Sequence, residues 1–203
     1  MNKYIVYLAA GNSRRFGSNK LLYEFQGKKL YRHGLDMLIA LQEKCEDLSI
    51  TLVTQYEEIY EETKNDPVKR VLSKECQKGV SYTIKEALAA LTDATEEDYI
   101  FFVVADQPYL SEKTMMNLLS CSEKGTETAS VAWGEIPGNP TMFSLKLKEE
   151  LFHLTGDQGG RKVIRNHPCI YVQAEDEKEL RDIDVNPMIE EKRNWSNECK
   201  KCK

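Results

Sequence analysis

The chain is 203 residues long, and 28 Lys and Arg against 33 Asp and Glu leave a formal charge of −5. At roughly 150 residues per domain this is one domain with at most a short appendage, large enough to bury a sizeable core. A composition that is 41% apolar and 30% charged is that of a soluble globular chain. Mild acidity excludes a general nucleic-acid binder, whose affinity needs a basic face, but leaves room for a small anion in a local basic pocket.

The first apolar run, residues 4–10, leads into Gly11 and a basic stretch with no small-residue cleavage site behind it. That pattern is a buried strand and not a signal peptide. An amphipathic helical pattern follows in Leu35, Leu38, Ile39, Gln42 and Cys45, then apolar strands at 49–54 and 70–73. Val80, Ile84, Ala87, Leu88 and Leu91 recur at helical spacing and predict one apolar stripe. The longest apolar run, residues 99–105, is far short of the ~20 residues a membrane span requires.

Beyond it, Ser111 reads as the N-cap of a helix carrying Met115, Leu118 and Leu119. Strands at 129–133 and 169–173 flank turn-forming clusters at 134–140 and 156–160. Continuous apolar strands alternating with helices predict an α/β layer fold with a mostly parallel sheet. One domain over 1–193 is expected, with 194–203 as a disordered tail. No secretory or membrane segment is read, so the expected compartment is cytoplasmic and the six cysteines are expected as reduced thiols. Cys45, Cys76, Cys121 and Cys169 match no zinc spacing, and Cys199 and Cys202 form half of a metal or redox pair without partners.

Three clusters carry chemistry. Leu8-Ala9-Ala10-Gly11 runs from a strand into a loop with Arg14, Arg15, Gly17 and Lys20. Glycines let backbone approach a ligand, successive loop N–H groups form an anion nest, and Arg15 and Lys20 can neutralise a polyphosphate. The spacing is neither a Walker loop nor a dinucleotide fingerprint, and a solvated strand–helix loop fits it too. Asp106-Gln107-Pro108 puts a carboxylate at the carboxyl end of a buried strand, where it can hold Mg²⁺ or cap a turn. Asp182-Ile183-Asp184 alternates as a short strand that buries Ile183 and turns both acids away, which suits a metal site shared with Asp106 or a polar edge.

Taken in order, these motifs resemble the molybdenum cofactor nucleotidyltransferases, especially the cytidylyltransferase (MocA-like) branch. Leu8 to Lys20 resembles L-A-A-G-x-S-x-R-M-G-x-x-K, and Gly79-Val80-Ser81 resembles the start of the family's nucleotide-contacting turn. Asp106-Gln107-Pro108 resembles its D-[MQ]-P, and Gly138-Asn139-Pro140 its G-[HN]-P. Gly156-Asp157-Gln158-Gly159-Gly160-Arg161 resembles G-D-x-G-A-R, and Asp182-Ile183-Asp184 the closing D-I-D. The likeness spans about 3–190. Phe16 replaces the usual Met, Thr83 stands for a second Ser, Gly160 replaces a common Ala and so loosens its loop, and Val185-Asn186-Pro187 replaces Thr-Pro-Glu-Asp.

The resemblance implies a Rossmann-like, GT-A-like three-layer nucleotidyltransferase that transfers CMP from CTP to the phosphate of molybdopterin and releases pyrophosphate. It implies Arg15, Lys20 and Asp106 as catalytic, with Leu8, Ala9, Ala10, Gly11, Gly79 and Ser81 at the nucleotide. Mg²⁺ (or Mn²⁺) would sit on Asp106 and Asp184. Gly138, Asn139, Pro140, Gly156, Asp157 and Arg161 would face the pterin. Ala10 favours CTP, because the guanylyl branch usually reads L-A-G-G there. The implied protein is a monomer that serves an acceptor molybdoenzyme, without nucleic acid or membrane. Two alternatives are a transferase using GTP or another phosphorylated small molecule, and a non-catalytic cofactor-binding maturation factor.

Overall fold

The computed structural model describes residues 1–13 and 16–184. Arg14, Arg15 and the 185–203 segment, with Cys199 and Cys202, lie outside the described residues. Strand β1 (Lys3–Ala9) leads through a 3-10 turn, Lys20–Leu22, and a hairpin of β2 (Glu24–Phe25) and β3 (Lys28–Lys29) into α1 (Leu30–Gln42). Then come β4 (Leu48–Thr54), α2 (Glu57–Glu62), β5 (Lys69–Leu72), α3 (Val80–Ala90), β6 (Tyr99–Val104) and α4 (Glu112–Glu123). The chain closes with β7 (Thr128–Trp133), β8 (Ile136–Ser144), α5 (Lys148–Phe152), α6 (Arg161–Ile164) and β9 (Cys169–Gln173). Among the described residues no helix is long and apolar enough to cross a membrane.

Seven strands form one sheet in the order β5-β4-β1-β6-β8-β7-β9. β4–β5, β1–β4, β1–β6 and β7–β9 pair in parallel, while β8 runs antiparallel to both β6 and β7. This is the α/β, mostly parallel architecture that the alternating pattern predicts, and the Rossmann-like fold that the resemblance implies.

Each central strand feeds two cores, which is why it reads as an unbroken apolar run. Ile5, Tyr7 and Ala9 of β1 join Phe101 and Val103 of β6 in a core beneath α1 and α4. Val6, Ile100 and Phe102 face the opposite core with Ile84, Ala87 and Leu88 of α3. Helices on both faces make three layers. Ser111 caps α4 by accepting a hydrogen bond from Thr114 N at 3.1 Å, as its sequence position suggests.

Two expectations change. The cluster at 134–140 is not simply a turn, because β8 begins at Ile136 and is nine residues long. Gly134, at φ 57, turns the chain, and Trp133 pairs directly with Ile136. The β7–β8 register shifts between Ser130 and Ala132, so Gly138-Asn139-Pro140 occupies an irregular stretch between two regular ladders. Two prolines and a glycine hide this strand, since neither proline has an N–H to give a ladder. The second change is at Asp182-Ile183-Asp184, which forms no strand. Ile183 nonetheless packs against the first core, and its N–H donates to Asp106 O at 3.0 Å.

Gly160 does not loosen its loop. A Cβ there would lie 2.6 Å from Phe143 Cζ, so the missing methyl lets the loop press against β8. Gly160→Ala is expected to lower unfolding free energy by about 1–3 kcal/mol through overpacking. Chemical denaturation checks this, and restoration by a smaller residue at Phe143 would assign the loss to that contact.

Candidate functional site

The sheet reverses its winding between β1 and β6. The chain passes from β1 out to β4 and β5, then returns to β6 on the other side. Ligands of open α/β sheets bind at such a point, beyond the carboxyl ends of the strands. Leu8 and Val104 are register partners there, and both line the cleft that opens above them.

The loop after β1 is held by its carbonyls. Thr54 Oγ1 donates to Ala9 O at 2.8 Å, Gln55 Nε2 to Ala10 O at 2.6 Å, and Tyr56 OH to Gly11 O at 2.6 Å. Gln55 Nε2 also reaches Asn12 Oδ1 at 3.0 Å, while Asn12 Nδ2 donates to Gln77 O at 3.1 Å. Ser13 adopts a left-handed φ of 47. These bonds fix the direction of the Ala9, Ala10 and Gly11 carbonyls, while within the loop Phe16 N–H donates to Ser13 O and Lys20 N–H to Ser13 Oγ. Gln55, Tyr56 and Asn12 carry no recognisable motif; only the fold brings the end of β4 beside this loop.

Lys20 is 6% exposed. Its Nζ lies 2.7 Å from Asp106 Oδ2 and 2.8 Å from Asp184 Oδ1. Burial alone would depress the lysine pKa, but the two carboxylates outweigh it and leave the pKa raised. Gln107, 5% exposed, donates from Nε2 to Asp182 Oδ1 at 2.8 Å and Leu180 O at 3.2 Å. It thereby ties the 180–184 strap to the end of β6. Partial desolvation, with the nearby charge of Asp106, pushes the Asp182 carboxyl up. The residues therefore bring together Lys20, Asp106, Asp182 and Asp184, from three distant stretches of chain.

The donor set fits a divalent ion that depends on its substrate. Asp106 and Asp184 already flank one positive charge, the Lys20 ammonium, at hydrogen-bond distance. Mg²⁺ is commonly held by one or two carboxylates, with phosphates and water completing its shell. Among the described residues no cluster of three or more His, Cys, Asp or Glu could cage a metal unaided.

Two cavities share this cleft. The first, about 200 Å³, is lined by Ala10, Gly11, Lys20, Gly79, Thr83 and Asp106, with Leu8 and Asp157 at its edge. The second, about 630 Å³, holds Asn139, Thr141 and Arg161 over a floor of Leu8, Val80, Phe102 and Val104. Leu8, Val80, Val104 and Asp157 border both. Ala9 and Ser81 are fully buried, and Ser81 Oγ is given to Gly156 O at 2.8 Å. Gly138 and Pro140 are buried in β8 beside the partly exposed Asn139. Gly79 opens α3 at φ 129, and a Cβ there would overlap the Gly156 carbonyl and approach Asp157 Oδ1 to 2.8 Å. Glycine is required at this position on both counts.

A family model described as the MobA-like NTP transferase domain matches residues 5–171. The chain is 26% identical over 190 residues to the purine catabolism protein PucB of Bacillus subtilis (strain 168), covering 89% of this chain and 90% of PucB. It is 29% identical over 178 residues to the bifunctional protein GlmU of Legionella pneumophila (strain Lens), covering 84% of this chain but only 37% of GlmU. Among solved structures, Rv0371c from Mycobacterium tuberculosis H37Rv is similar with a TM-score of 0.76 at 24% identity, covering 91% of this chain and 93% of that one. Rv0371c has also been solved in complex with manganese; there the TM-score is 0.68 at 23% identity, over 86% and 89% of the two chains. At such identity this likeness establishes a shared fold.

The raised Asp182 pKa gives a test with a definite sign. A carboxyl whose pKa is higher folded than unfolded makes the native state bind more protons, so stability falls as pH rises through that window. Asp182→Asn keeps an oxygen for Gln107 and removes the titration. The variant is expected to gain stability relative to the parent as pH climbs from about 4 to 7, measured by urea unfolding at each pH. Parallel stability curves would show that Asp182 carries no such shift.

Proposed function

The chain belongs to the MobA-like NTP transferase domain family, and from that premise we propose that it transfers CMP from CTP to the phosphate of a molybdopterin-type cofactor. The observation that carries this reading is the Lys20 ammonium, set between Asp106 and Asp184, in the wall of the first cavity. A cation between two acids, beside a loop poised to bind anions, suits a nucleoside triphosphate that arrives with a divalent ion.

A phosphate oxygen of the acceptor bonds to the α-phosphorus of CTP, and the bond from that phosphorus to the bridging oxygen breaks to release pyrophosphate. An acceptor phosphate is already ionised near neutral pH, so no general base is needed. The histidines are committed elsewhere: His33 Nε2 to Phe25 O, His153 Nδ1 to Glu149 O, and His167 Nε2 to Glu150. Catalysis is then positioning and charge neutralisation.

Gly11 and the loop N–H groups cradle the phosphates, and Lys20 neutralises charge on the triphosphate and the departing pyrophosphate, with Arg15 assigned the same part by resemblance alone. Asp106 and Asp184 would hold Mg²⁺ or Mn²⁺, which supplies Lewis-acid neutralisation of phosphate oxygens. Gly79 and Ser81 shape the nucleotide wall. Asn139 and Arg161, on the frame of Gly138, Pro140, Gly156 and Asp157, face the acceptor. The Ala10 methyl, 5% exposed in the first cavity, narrows the base site in favour of cytosine. Residues 1–193 form the working unit, acting as a monomer in the cytoplasm and passing the product to an acceptor molybdoenzyme.

Purified protein with CTP, Mg²⁺ and molybdopterin should release pyrophosphate, and Asp106→Ala should reduce the rate by about 10²-fold or more. A protein that binds molybdopterin but releases no pyrophosphate is a binding factor, and the proposal fails. In nucleotide competition CTP should displace GTP; the reverse order would replace CTP with GTP in the reaction. Deleting 195–203 should leave the rate unchanged.

A further inference from the structure

The first cavity lies between two separate segments, and the end of β4 anchors both. On one side, Thr54 Oγ1 and Gln55 Nε2 hold the carbonyls of Ala9 and Ala10 at 2.8 and 2.6 Å. On the other, Thr54 O accepts from Ser73 N at 2.9 Å, where the chain enters a 3-10 turn, Lys74–Lys78, that leads to Gly79 and α3. Cys76 of that turn is 2% exposed and packs into the second core. Ala10 and Gly11 line the cavity from the first side, and Cys76, Gly79 and Thr83 from the second.

Asn12 joins the two sides away from that anchor. Its Oδ1 accepts from Gln55 Nε2 at 3.0 Å, and its Nδ2 donates to Gln77 O at 3.1 Å. Gln55, 9% exposed, thus orients an asparagine that is itself exposed and lines the cavity. The bonds run in a closed circuit: from the end of β4 to the loop at 9–12, across Asn12 to Gln77, and back through Ser73 to Thr54. An exposed side-chain bond adds little to folding stability. What this one fixes is the spacing of the two segments, because the Asn12 amide is committed at both of its polar atoms.

We propose that Asn12, oriented by Gln55, sets the width of the first cavity and is thereby a specificity-determining residue, holding the walls at a spacing that accepts a pyrimidine nucleotide and resists the larger fused ring of a purine. This rests on the reading of that cavity, about 200 Å³, as the nucleotide site, and it adds a second determinant to the Ala10 methyl. A size difference becomes an affinity difference when the wall cannot yield; the larger ring then meets a clash or the cost of breaking the circuit. Ala10 fills space, and Asn12 keeps that space from growing.

Calorimetric titration of the full chain with CTP and with GTP, each with Mg²⁺ and without acceptor, tests this. The parent should prefer CTP, and Asn12→Ala should shrink the preference by roughly three- to tenfold, the worth of one hydrogen bond. Asn12→Asp keeps the oxygen that Gln55 holds but cannot donate to Gln77 O, so its preference should shrink as well. Gln55→Leu, which frees Asn12 from the other end, should act in the same direction. Both Asn12 substitutions are at an exposed position, and melting temperatures equal to the parent's would show the fold intact, so they decide the matter even if Gln55→Leu does not fold. An unchanged ratio in either Asn12 variant overturns the proposal, as does an equal loss of affinity for both nucleotides, which is the mark of a merely structural role. A parent that prefers GTP overturns it too. A parent that binds neither nucleotide sinks nucleotidyl transfer itself, whereas a CTP preference that the variants retain sinks the role of Asn12 alone.

Discussion

One buried ammonium organises the cleft. Taking a lysine out of water costs several kcal/mol unless paired charges offset it, and Lys20 meets two carboxylates at 2.7 and 2.8 Å. That pairing can form only if three remote stretches converge: the loop after β1, the end of β6, and the strap at 180–184. Sheet register sets the first two, since Leu8 lies opposite Val104. Gln107 and the Ile183 N–H set the third.

The strands were legible because burial on two faces demands continuous apolar sequence, as at 99–105, where alternate residues serve opposite cores. α3 and α4 were legible for a related reason, through a single apolar stripe and a Ser111 cap. β8 was not, because its ladder is interrupted where Gly138-Asn139-Pro140 sits, and those residues read locally as a turn. Asp182-Ile183-Asp184 alternates like a strand yet is held by Gln107 and a backbone contact to Asp106. Periodicity reports which way side chains point, and says nothing about which partner holds the backbone.

Of the site, sequence disclosed the residues that chemistry restricts and hid those that only support them. Lys20, Asp106 and Gly79 stand in motifs with a chemical reason for their type. Gln55 and Tyr56 do not, because an amide or phenol directed at a carbonyl of Ala10 or Gly11 has no fixed spacing from it in the chain.

Gly156 O accepts from both Ser81 N, at 3.1 Å, and Ser81 Oγ, at 2.8 Å. One carbonyl with two bonds from one residue pins the 156–160 loop to the first turn of α3, and the two cannot part without losing both. Gly79, packed against the same carbonyl, belongs to the wall of the first cavity, while Gln158 and Gly160 belong to the second. Any displacement of this loop would therefore reshape both chambers together. Two ligands that share such a partition exchange their effects equally, each altering the affinity of the other by the same factor.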